Sequence, residues 1–352
     1  MRFLVWVFLV SAVIVRFLTT LPNFSDGQRI RISDRVMVEP VRYSYNQSFK
    51  LSGVTVYLPK YPEVSYGDRV IVEGTVESGK ILDAKLLEIK RGNGLLLGLR
   101  EKLIKFYEFS LPQPYSGLVA GMVLGSKTGL SQSFWESLKT TSTAHVVVAS
   151  GMNVTLVAGF LVGITSLFLP RRKGIILVVM GVWLYAFLSG FDAPIVRAAA
   201  MGSVAFVAQA TGRLTSAWKG LLLSGLAMLV IWPAWISDLG FILSFVATAS
   251  ILIFEPKVKK LLSRFPKILR EDFSVTLAAQ IGVTPIIFAT FGQFNLLSPI
   301  INVLVLWTVA PITIIAGVSA IVGLVFPFMG RLLLYLCYPL AFWFVKVIEV
   351  FS

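Results

Sequence analysis

Residues 144–170 have the sequence AHVVVASGMNVTLVAGFLVGITSLFLP, which contains no Asp, Glu, Lys or Arg. A membrane-spanning helix needs roughly 20 consecutive, mainly apolar residues, so this stretch is long enough to cross a bilayer. The basic cluster RRK follows at residues 171–173 and predicts the end of the span, because charged side chains are costly inside lipid. The stretch therefore predicts an integral membrane protein.

The composition of the whole chain agrees with this prediction. Of the 352 residues, 56% are hydrophobic and 14% are charged, and the mean hydropathy is +0.80. Soluble domains carry about 25% charged residues, so a soluble fold, a disordered chain and a coiled coil are excluded. The chain has one cysteine, Cys337, and one histidine, His145, so we expect no internal disulfide, no metal and no other cofactor. The net charge of +14 predicts basic cytoplasmic loops or an anionic partner.

Further apolar segments predict a polytopic, mostly α-helical membrane bundle of about nine spans, some of them broken helices. Residues 1–21 are predicted to form an N-terminal transmembrane anchor, and residues 116–352 a membrane-embedded domain. After residue 170, the predicted spans occupy residues 174–191, 193–212, 220–237, 239–254, two or three segments within 273–330, and 332–351.

The basic clusters predict the orientation, because cytoplasmic loops carry an excess of Lys and Arg. With residues 171–173 inside, alternating spans also place Arg213, Lys219 and the basic segment 257–270 inside. Arg2 inside then places residues 22–92 outside the cytoplasm.

Residues 22–92 differ in character from the rest of the chain and predict a small extracytoplasmic β-domain. They contain 11 Lys and Arg and 9 Asp and Glu, and apolar residues alternate with polar ones, which is typical of half-buried strands. Four to six short strands in about 70 residues suit a barrel of the OB type. Residues 93–115 follow as a predicted amphipathic helix in the membrane interface.

Four residues in the first long span favour a functional site. His145, Ser150 and Asn153 are polar, and Gly151 allows the backbone to break. One interpretation is a kinked helix whose polar groups satisfy each other, and the other is a discontinuous helix beside a water-filled path. A Ser150–His145 nucleophile pair has a poor helical spacing and no nearby acid. A metal site at His145 is favoured even less, because the chain has no second histidine and no cysteine cluster.

Two charged residues begin later spans. Arg197 either reaches the outer interface and pairs with Asp192, or supplies a fixed positive charge facing a path for anions. Asp238 can cap the N-terminus of its helix, pair with Arg197, or line the path.

The charge-free stretch between residues 273 and 330 contains further polar residues, of which Gln280 and Asn302 are site candidates. Pro285, Pro299 and Pro311 each remove a backbone donor and are expected to kink or break a helix. Several breaks in one region are more typical of transporters and channels than of anchors.

In their order along the chain, these motifs resemble the membrane domain of the ComEC family of DNA-uptake channel proteins, from about residue 116 to the C-terminus. In the β-domain, YGDRVIVEG at residues 66–74 is similar to the best-marked strand of the family's extracytoplasmic OB-like domain. The matching elements are GSKTGLS (125–131), AHVVVASGMNV (144–154), RAAAM (197–201), DLGFILSF (238–245), Pro285 with FGQF (291–294), Ser298-Pro299 and Asn302.

The sequence departs from the family at two points. Many members have a second histidine where Asn153 stands, so a strict His–His role is not expected here. Many members also continue into a metallo-β-lactamase-like nuclease domain, whose metal site needs several histidines. With one histidine, we expect no such domain in this chain, which would make it a short member, a fragment or a split form.

The resemblance implies a channel, and no enzyme, that imports single-stranded DNA across the bacterial cytoplasmic membrane in natural transformation. Its partners would be single-stranded DNA, membrane lipids, and a separate DNA receptor, nuclease and ATP-driven motor. Residues lining or shaping the path would be His145, Ser150, Gly151, Asn153, Arg197, Asp238, Gln280 and Asn302. Candidates for DNA contact in the β-domain, whose other possible role is structural docking, are Arg29, Arg31, Arg35, Arg42, Tyr43, Tyr45 and Lys50.

Three other functions stay open from the residues alone. A small-solute or anion transporter would need an intramembrane acid or a coupling-ion site. An intramembrane hydrolase would use Ser150 and His145, and an assembly scaffold would recruit partners through the β-domain.

Overall fold

The computed structural model describes residues 11, 13–17, 19, 24, 26–42, 45–148, 150–212, 216–264, 266–291 and 297–352. Most of the predicted anchor at residues 1–21, Tyr43, Arg213 and residues 292–294 of the FGQF motif lie outside these residues. In the described part a small β-domain precedes a large body of helices. The mostly α-helical fold class is therefore confirmed.

The β-domain has seven strands within the described residues. They are β1 (Arg29–Arg35), β2 (Val41–Arg42), β3 (Asn46–Leu51), β4 (Val54–Pro59), β5 (Arg69–Thr75), β6 (Lys80–Ile81) and β7 (Lys85–Lys90). One sheet has the order β1-β5-β7 and the other β2-β3-β4-β6. Apolar side chains alternate along the strands as predicted, and Val56, Val70 and Val72 are fully buried between the sheets. The closed OB-type barrel stays a prediction.

The described residues 11, 13–17 and 19, before the β-domain, are also helical. The helices of the body follow the β-domain, and two 3-10 turns at Pro233–Ser237 and Tyr335–Cys337 interrupt them. The helices are α1 (Leu95–Ser110), α2 (Tyr115–Leu124), α3 (Gln132–Thr140), α4 (Ala144–Val147), α5 (Gly151–Phe168), α6 (Arg171–Leu188), α7 (Ala193–Ala210), α8 (Ala217–Ile231), α9 (Leu239–Leu261), α10 (Lys267–Phe291), α11 (Ser298–Val325), α12 (Pro327–Leu334) and α13 (Tyr338–Phe351).

Six segments of the described chain are long and apolar enough to cross a membrane. They are Ala144–Phe168, Ala193–Ala210, Leu239–Leu261, Phe273–Thr290, Ser298–Val325 and Pro327–Phe351. The predicted stretch 273–330 thus contains two of these segments, and the last one begins at Pro327 because proline suits the first turn of a helix. The shorter apolar helices α2 and α8 have 10 and 15 residues.

The first long span is broken, as the discontinuous-helix interpretation predicts. Helix α4 ends at Val147 and α5 begins at Gly151, with Val148 and Ser150 in extended conformation between them. By contrast, α10 and α11 continue through Pro285 and Pro311, so the expected breaks at these prolines are not seen. Pro299 lies in the first turn of α11, where its missing N–H costs no helical hydrogen bond.

Helix α1 matches the predicted amphipathic helix but buries a charged residue. Arg100, Leu103 and Tyr107 lie on its buried face, and the Tyr107 hydroxyl donates to the Ala316 carbonyl of α11 at 3.0 Å. On the exposed side, Glu101 and Lys105 form an ion pair of 2.6 Å. The position of α1 in the membrane interface stays a prediction.

The β-domain lies at one end of the helical body. Glu39 of the β-domain pairs with Arg100 of α1, whose guanidinium donates to the Leu188 carbonyl at the end of α6. Lys50 of β3 contacts Asp238 at the start of α9. At 1.5 Å per residue, the 18 residues of α6 place the basic residues 171–173 roughly 27 Å away, at the opposite end.

Candidate functional site

Helix α2 is a short helix that ends inside the protein. Nine of its ten residues are buried. Its last carbonyls accept hydrogen bonds from three different elements: Met122 from Asn153 Nδ2 at 2.5 Å, Val123 from the Tyr185 hydroxyl at 2.9 Å, and Leu124 from Arg100 Nη2 at 3.2 Å. Free carbonyls at a helix end need such partners when water is absent. The arrangement therefore fixes α2 against α1, α5 and α6.

Glycine on α2 allows a close approach to the helix break. A Cβ atom on Gly121 would lie 2.8 Å from the carbonyl oxygen of Val147, the last residue of α4. No side chain fits at that distance, so the short helix and the break are in direct backbone contact.

Asn153 is the predicted site residue that is most completely enclosed. Its side chain is fully buried, and its amide nitrogen caps α2. Its Oδ1 atom is buried and has no hydrogen-bond partner among the described residues. A buried acceptor left unpaired costs about 1–3 kcal/mol, so this oxygen marks a polar point at the helix break.

Arg197 is held by polar and aromatic contacts. Its Nε donates to Ser244 Oγ of α9 at 2.5 Å, and the guanidinium lies 6.0 Å from the centre of the Phe245 ring. Within the described residues, Arg197 has no carboxylate at ion-pair distance. It pairs with neither Asp192 nor Asp238, the two acids that the sequence offered as its partners.

Gly151 and Arg197, two of the predicted path residues, lie close together. A Cβ atom on Gly151 would be 3.5 Å from Arg197 Nη2 and 3.3 Å from Ala198 Cβ. The break between α4 and α5 therefore lies beside the positive charge on α7.

Asp238 lies at the start of α9, at the end of the helical body that contacts the β-domain. Its Oδ1 accepts from the Phe241 backbone N–H at 3.0 Å and caps α9, and its Oδ2 is 2.6 Å from Lys50 Nζ. The capping interpretation of Asp238 is thus correct, and its partner is Lys50 of the β-domain.

Gln280 and Asn302 meet at a third residue. Gln280 Nε2 and Asn302 Nδ2 approach Ser298 Oγ at 3.2 and 3.5 Å. The Oδ1 atom of Asn302 is buried and, among the described residues, has no hydrogen-bond partner. The structure brings these two predicted residues together, and it shows no contact between them and Arg197.

His145 and Ser150 do not form a catalytic pair in this structure. His145 is exposed and hydrogen-bonds the backbone of Ser142. The described part of the chain shows no hydrogen bond between His145 and Ser150, and no group of three or more His, Cys, Asp or Glu residues placed to hold a metal.

A buried ion pair joins the β-domain to the helical body, and the sequence analysis missed it. Arg100 Nη2 lies 2.9 Å from Glu39 Oε2, and the two side chains are 7% and 5% exposed. The guanidinium also lies 5.3 Å from the centre of the Tyr66 ring. Burial raises the pKa of the Tyr66 hydroxyl to about 12. The sequence did carry one indication that Arg100 is buried, because Arg100 shares a helical face with Leu103 and Tyr107.

A second pair lies beside it at the same boundary. Lys127 Nζ is 4.0 Å from Asp192 Oδ2. Burial raises the pKa of the Asp192 carboxyl above its ordinary value, and the nearby Lys127 ammonium opposes that shift.

The predicted DNA-contacting residues of the β-domain have divergent surroundings. Arg29, Arg42 and Lys50 form ion pairs with Glu73, Glu63 and Asp238 at 2.7, 3.2 and 2.6 Å. Arg31, Arg35 and Tyr45 are exposed, and Tyr43 lies outside the described residues. The ion-paired cations have less free charge to offer an incoming anion.

Comparison with known proteins places this chain in a family. Residues 122–352, more than half of the chain, match the family model described as "Competence protein". The chain is 26% identical over 210 residues to ComE operon protein 3 of Bacillus subtilis (strain 168), covering 59% of this chain and 26% of that protein. It is 24% identical over 258 residues to the uncharacterized protein YcaI of Escherichia coli (strain K12), covering 70% of this chain and 33% of that protein.

The matched part thus spans about a quarter to a third of the length of these relatives. No solved structure matches the chain. The family match covers the last residues of α2 and all of α3 to α13, and so includes the helix break, Arg197 and Asp238. By this match, and in agreement with the resemblance in its ordered motifs, the chain belongs to the competence protein family of ComEC-type proteins.

Proposed function

We propose that the helical body is a channel that imports single-stranded DNA across the bacterial cytoplasmic membrane during natural transformation. The observation that carries the proposal is Arg197. Its charge lies within a predicted span, beside the helix break at Gly151, and no described carboxylate neutralises it. A charged residue at membrane depth is expensive unless it has a use, and a DNA backbone offers one anionic group for each nucleotide.

The path would run through the predicted polar residues. Asp238 and Lys50 mark its outer mouth, and Arg197, Gly151 and Asn153 lie around the break between α4 and α5. Gln280 and Asn302 would line or shape the path through Ser298. His145 lies in α4 and Ser150 directly precedes α5, so these two residues lie on either side of the break.

The proposed orientation places the β-domain outside the cytoplasm. The basic residues 171–173 lie at the opposite end of the helical body from the β-domain, and Lys259 and Lys260 follow in the last turn of α9. Basic loops favour the cytoplasmic side. We also propose that an OB-like β-domain and about nine spans, three more than the described segments, complete the architecture.

A basic face on the β1-β5-β7 sheet supports DNA contact by the β-domain. This face has six exposed cations and two acids, the half-buried Glu73 and the exposed Glu88. Arg35 lies directly opposite Arg69, and Arg69 directly opposite Lys90. Like charges directly opposite each other destabilise a sheet, so folding alone does not favour this row. The cations are Arg29, Arg31, Arg35, Arg69, Lys85 and Lys90.

Vesicle import tests the proposal. The chain is reconstituted in vesicles that contain a nuclease as a trap, and uptake of labelled single-stranded DNA is measured with and without candidate receptor and motor proteins. We expect uptake by the wild type, a loss of at least about tenfold in Arg197→Gln, equivalent to 1.4 kcal/mol, and partial activity in Arg197→Lys. The matched control is Arg331→Gln, because Arg331 is an exposed cation in the apolar segment Pro327–Phe351.

Two outcomes would contradict the proposal. If the wild type imports no DNA with any partner, the channel function is wrong. If Arg197→Gln is folded and imports DNA at the wild-type rate, Arg197 is no part of the path. Flux of small anions without DNA import would favour the anion transporter.

A further inference from the structure

A small pocket lies at the boundary between the β-domain and the helical body. Its volume is about 50 Å³, and it is lined by side chains from β2, from the loop after α2 and from α3. On α3 the lining residues are three or four positions apart, so one face of this helix forms a wall of the pocket. The polar and aromatic lining residues are Arg42, Lys127, Gln132, Trp135, Glu136 and Lys139.

Hydrogen-bond donors predominate in this pocket. Arg42 uses Nη2 for its ion pair with Glu63, but its Nε is buried and has no hydrogen-bond partner among the described residues. Lys127 reaches its acid, Asp192, only at 4.0 Å. Lys139 is exposed and forms no ion pair with any described residue. Three cations therefore converge with donor capacity left over.

Acceptors in the pocket are fewer and partly engaged. Glu136 is the one acid that lines it, and its Oε1 accepts from Gln132 Nε2 at 3.1 Å. A ligand that satisfies the remaining donors must be an anion with several acceptor oxygens. A phosphate group meets this requirement, and its contacts with cations are the stronger, charge-assisted hydrogen bonds.

Trp135 favours a nucleotide phosphate over an inorganic anion. The indole is partly buried against the core of the helical body and also lines the pocket. Single-stranded nucleic acids are bound by cations that follow the backbone, together with aromatic rings on which bases stack. Trp135 provides such a ring directly beside Arg42, Lys127 and Lys139.

The position of the pocket connects it to the proposed path. Lys127 contacts Asp192, which is the N-cap residue of α7. Arg197 follows five residues later on the same helix, roughly 7.5 Å further along its axis. An anion held by Lys127 would therefore lie near the start of α7, about one and a half helical turns before Arg197.

A larger cleft nearby lacks this excess of basic side chains. It has a volume of about 970 Å³ and extends from the β-domain along α1. Five acids and four bases line it, so it provides no excess of positive charge. The small pocket is lined by three bases and one acid. Glu63 and Asp192 pair with Arg42 and Lys127 from outside this lining, and Lys139 has no ion-pair partner among the described residues, so the small pocket is the better anion site.

We propose that the Arg42–Lys127–Trp135–Lys139 pocket binds a backbone phosphate of the single strand, with the adjoining base on the indole, as the strand passes from the β-domain to the helical body. This inference rests on the proposed function. The headgroup of an anionic lipid contains the same phosphate chemistry and is the alternative occupant that the test must separate.

The test uses the full chain in nanodiscs of zwitterionic phosphatidylcholine and a fluorescent oligo-dT. The main variant is Lys139→Gln, because Lys139 is exposed and unpaired among the described residues, and its control is Lys102→Gln, an exposed lysine on α1. We expect Lys139→Gln to weaken binding about fivefold and to lower the slope of log affinity against log salt by about 0.7. Lys102→Gln should change neither.

Trp135 provides a second, uncharged variant. Trp135→Ala should weaken binding by roughly tenfold at constant salt slope, and Trp135→Phe should retain most of the affinity, because stacking needs an aromatic face. Thermal unfolding of each variant in detergent establishes that it is folded.

The outcomes separate the possibilities. Wild-type affinity and slope in Lys139→Gln and Trp135→Ala would overturn the pocket while leaving the channel proposal intact, provided that vesicle import by the wild type occurs. If adding phosphatidylglycerol to the nanodiscs abolishes oligo-dT binding by the wild type, and the Lys139→Gln variant resists this competition, the occupant is a lipid headgroup and the inference is wrong. Absence of vesicle import by the wild type would instead overturn the proposed function.

Discussion

The β-domain and the helical body differ in the number, exposure and pairing of their charged residues. On the β-domain, cations are numerous and exposed, and several have acids beside them, such as Arg29 with Glu73 at 2.7 Å. In the predicted spans charges are few, and Arg197 has no described carboxylate partner. An exposed ion pair contributes about 0–1 kcal/mol, whereas a charge in lipid costs several kcal/mol. One arginine in the helical body is therefore stronger support for function than many in the β-domain.

The boundary between the two regions contains both a buried ion pair and a more exposed one. Arg100 and Glu39 are buried at this boundary although one belongs to α1 and the other to the β-domain. Lys50 and Asp238 form a second, more exposed contact between the β-domain and α9. The comparison predicts that losing the buried pair has a large effect, and losing surface charge a small one.

The largest effect is expected for Arg100→Gln. This change removes the charge that faces buried Glu39 and also the donors to the carbonyls of Leu188 and Leu124. Removing one partner of a buried ion pair costs about 3–5 kcal/mol. We expect a marked fall in the thermal unfolding temperature of the detergent-solubilised chain.

Two further variants test the cause of that fall. Glu39→Gln combined with Arg100→Gln should recover part of the stability, because no buried charge then lacks a partner. The surface control is Lys105→Gln, which breaks the exposed pair with Glu101 and should be nearly neutral. If Arg100→Gln is as harmless as Lys105→Gln, the boundary is not held by its buried charge.

An intermediate effect is expected for Gly121→Ala. The new Cβ would lie 2.8 Å from the Val147 carbonyl oxygen, so α2 and the helix break must separate. Overpacking of this kind costs about 1–3 kcal/mol. Gly159→Ala is the matched control, because a Cβ at Gly159 of α5 meets nothing within 4 Å and alanine favours the helix by up to about 1 kcal/mol.

The readouts of the glycine pair are thermal unfolding and DNA uptake in vesicles. Gly121→Ala should lower both, and Gly159→Ala should lower neither. Equal behaviour of the two variants would show that the contact between α2 and Val147 is loose in solution.

The sequence predicted the fold class and gave the helix break as one of two interpretations, because both depend on local patterns. The charge-free run at residues 144–170 indicates membrane helix, and polar residues with Gly151 indicate an interruption. Period-two alternation likewise indicated strands, and the buried positions in β5 agree with it. These signals lie within one segment of chain.

Partnerships across the fold could not be predicted in this way. Nothing near Lys50 in the sequence shows that it meets Asp238, 188 positions away. The breaks expected at Pro285 and Pro311 were also wrong, because α10 and α11 continue through these residues. Neighbouring helices can satisfy the backbone groups that proline leaves unpaired. The three caps on α2 come from three separate elements, which no local pattern encodes.

The smallest effect, and the one that tests the β-domain most directly, is expected for Arg69→Thr. Arg69 lies directly between Arg35 and Lys90 and forms no ion pair with any described residue. Removing it relieves cross-strand repulsion, so we expect the chain to gain about 0.2–1 kcal/mol in stability. Affinity for oligo-dT should fall at the same time, and the slope of log affinity against log salt should be lower by about 0.7.

Arg29→Thr is the control with the opposite sign. It removes the ion pair with Glu73 and should lower the stability by up to about 1 kcal/mol. Thermal unfolding and anisotropy titration together decide: a variant that gains stability and loses DNA binding shows that the row of like charges is kept for an anion, whereas unchanged DNA binding would reduce the β-domain to a docking role.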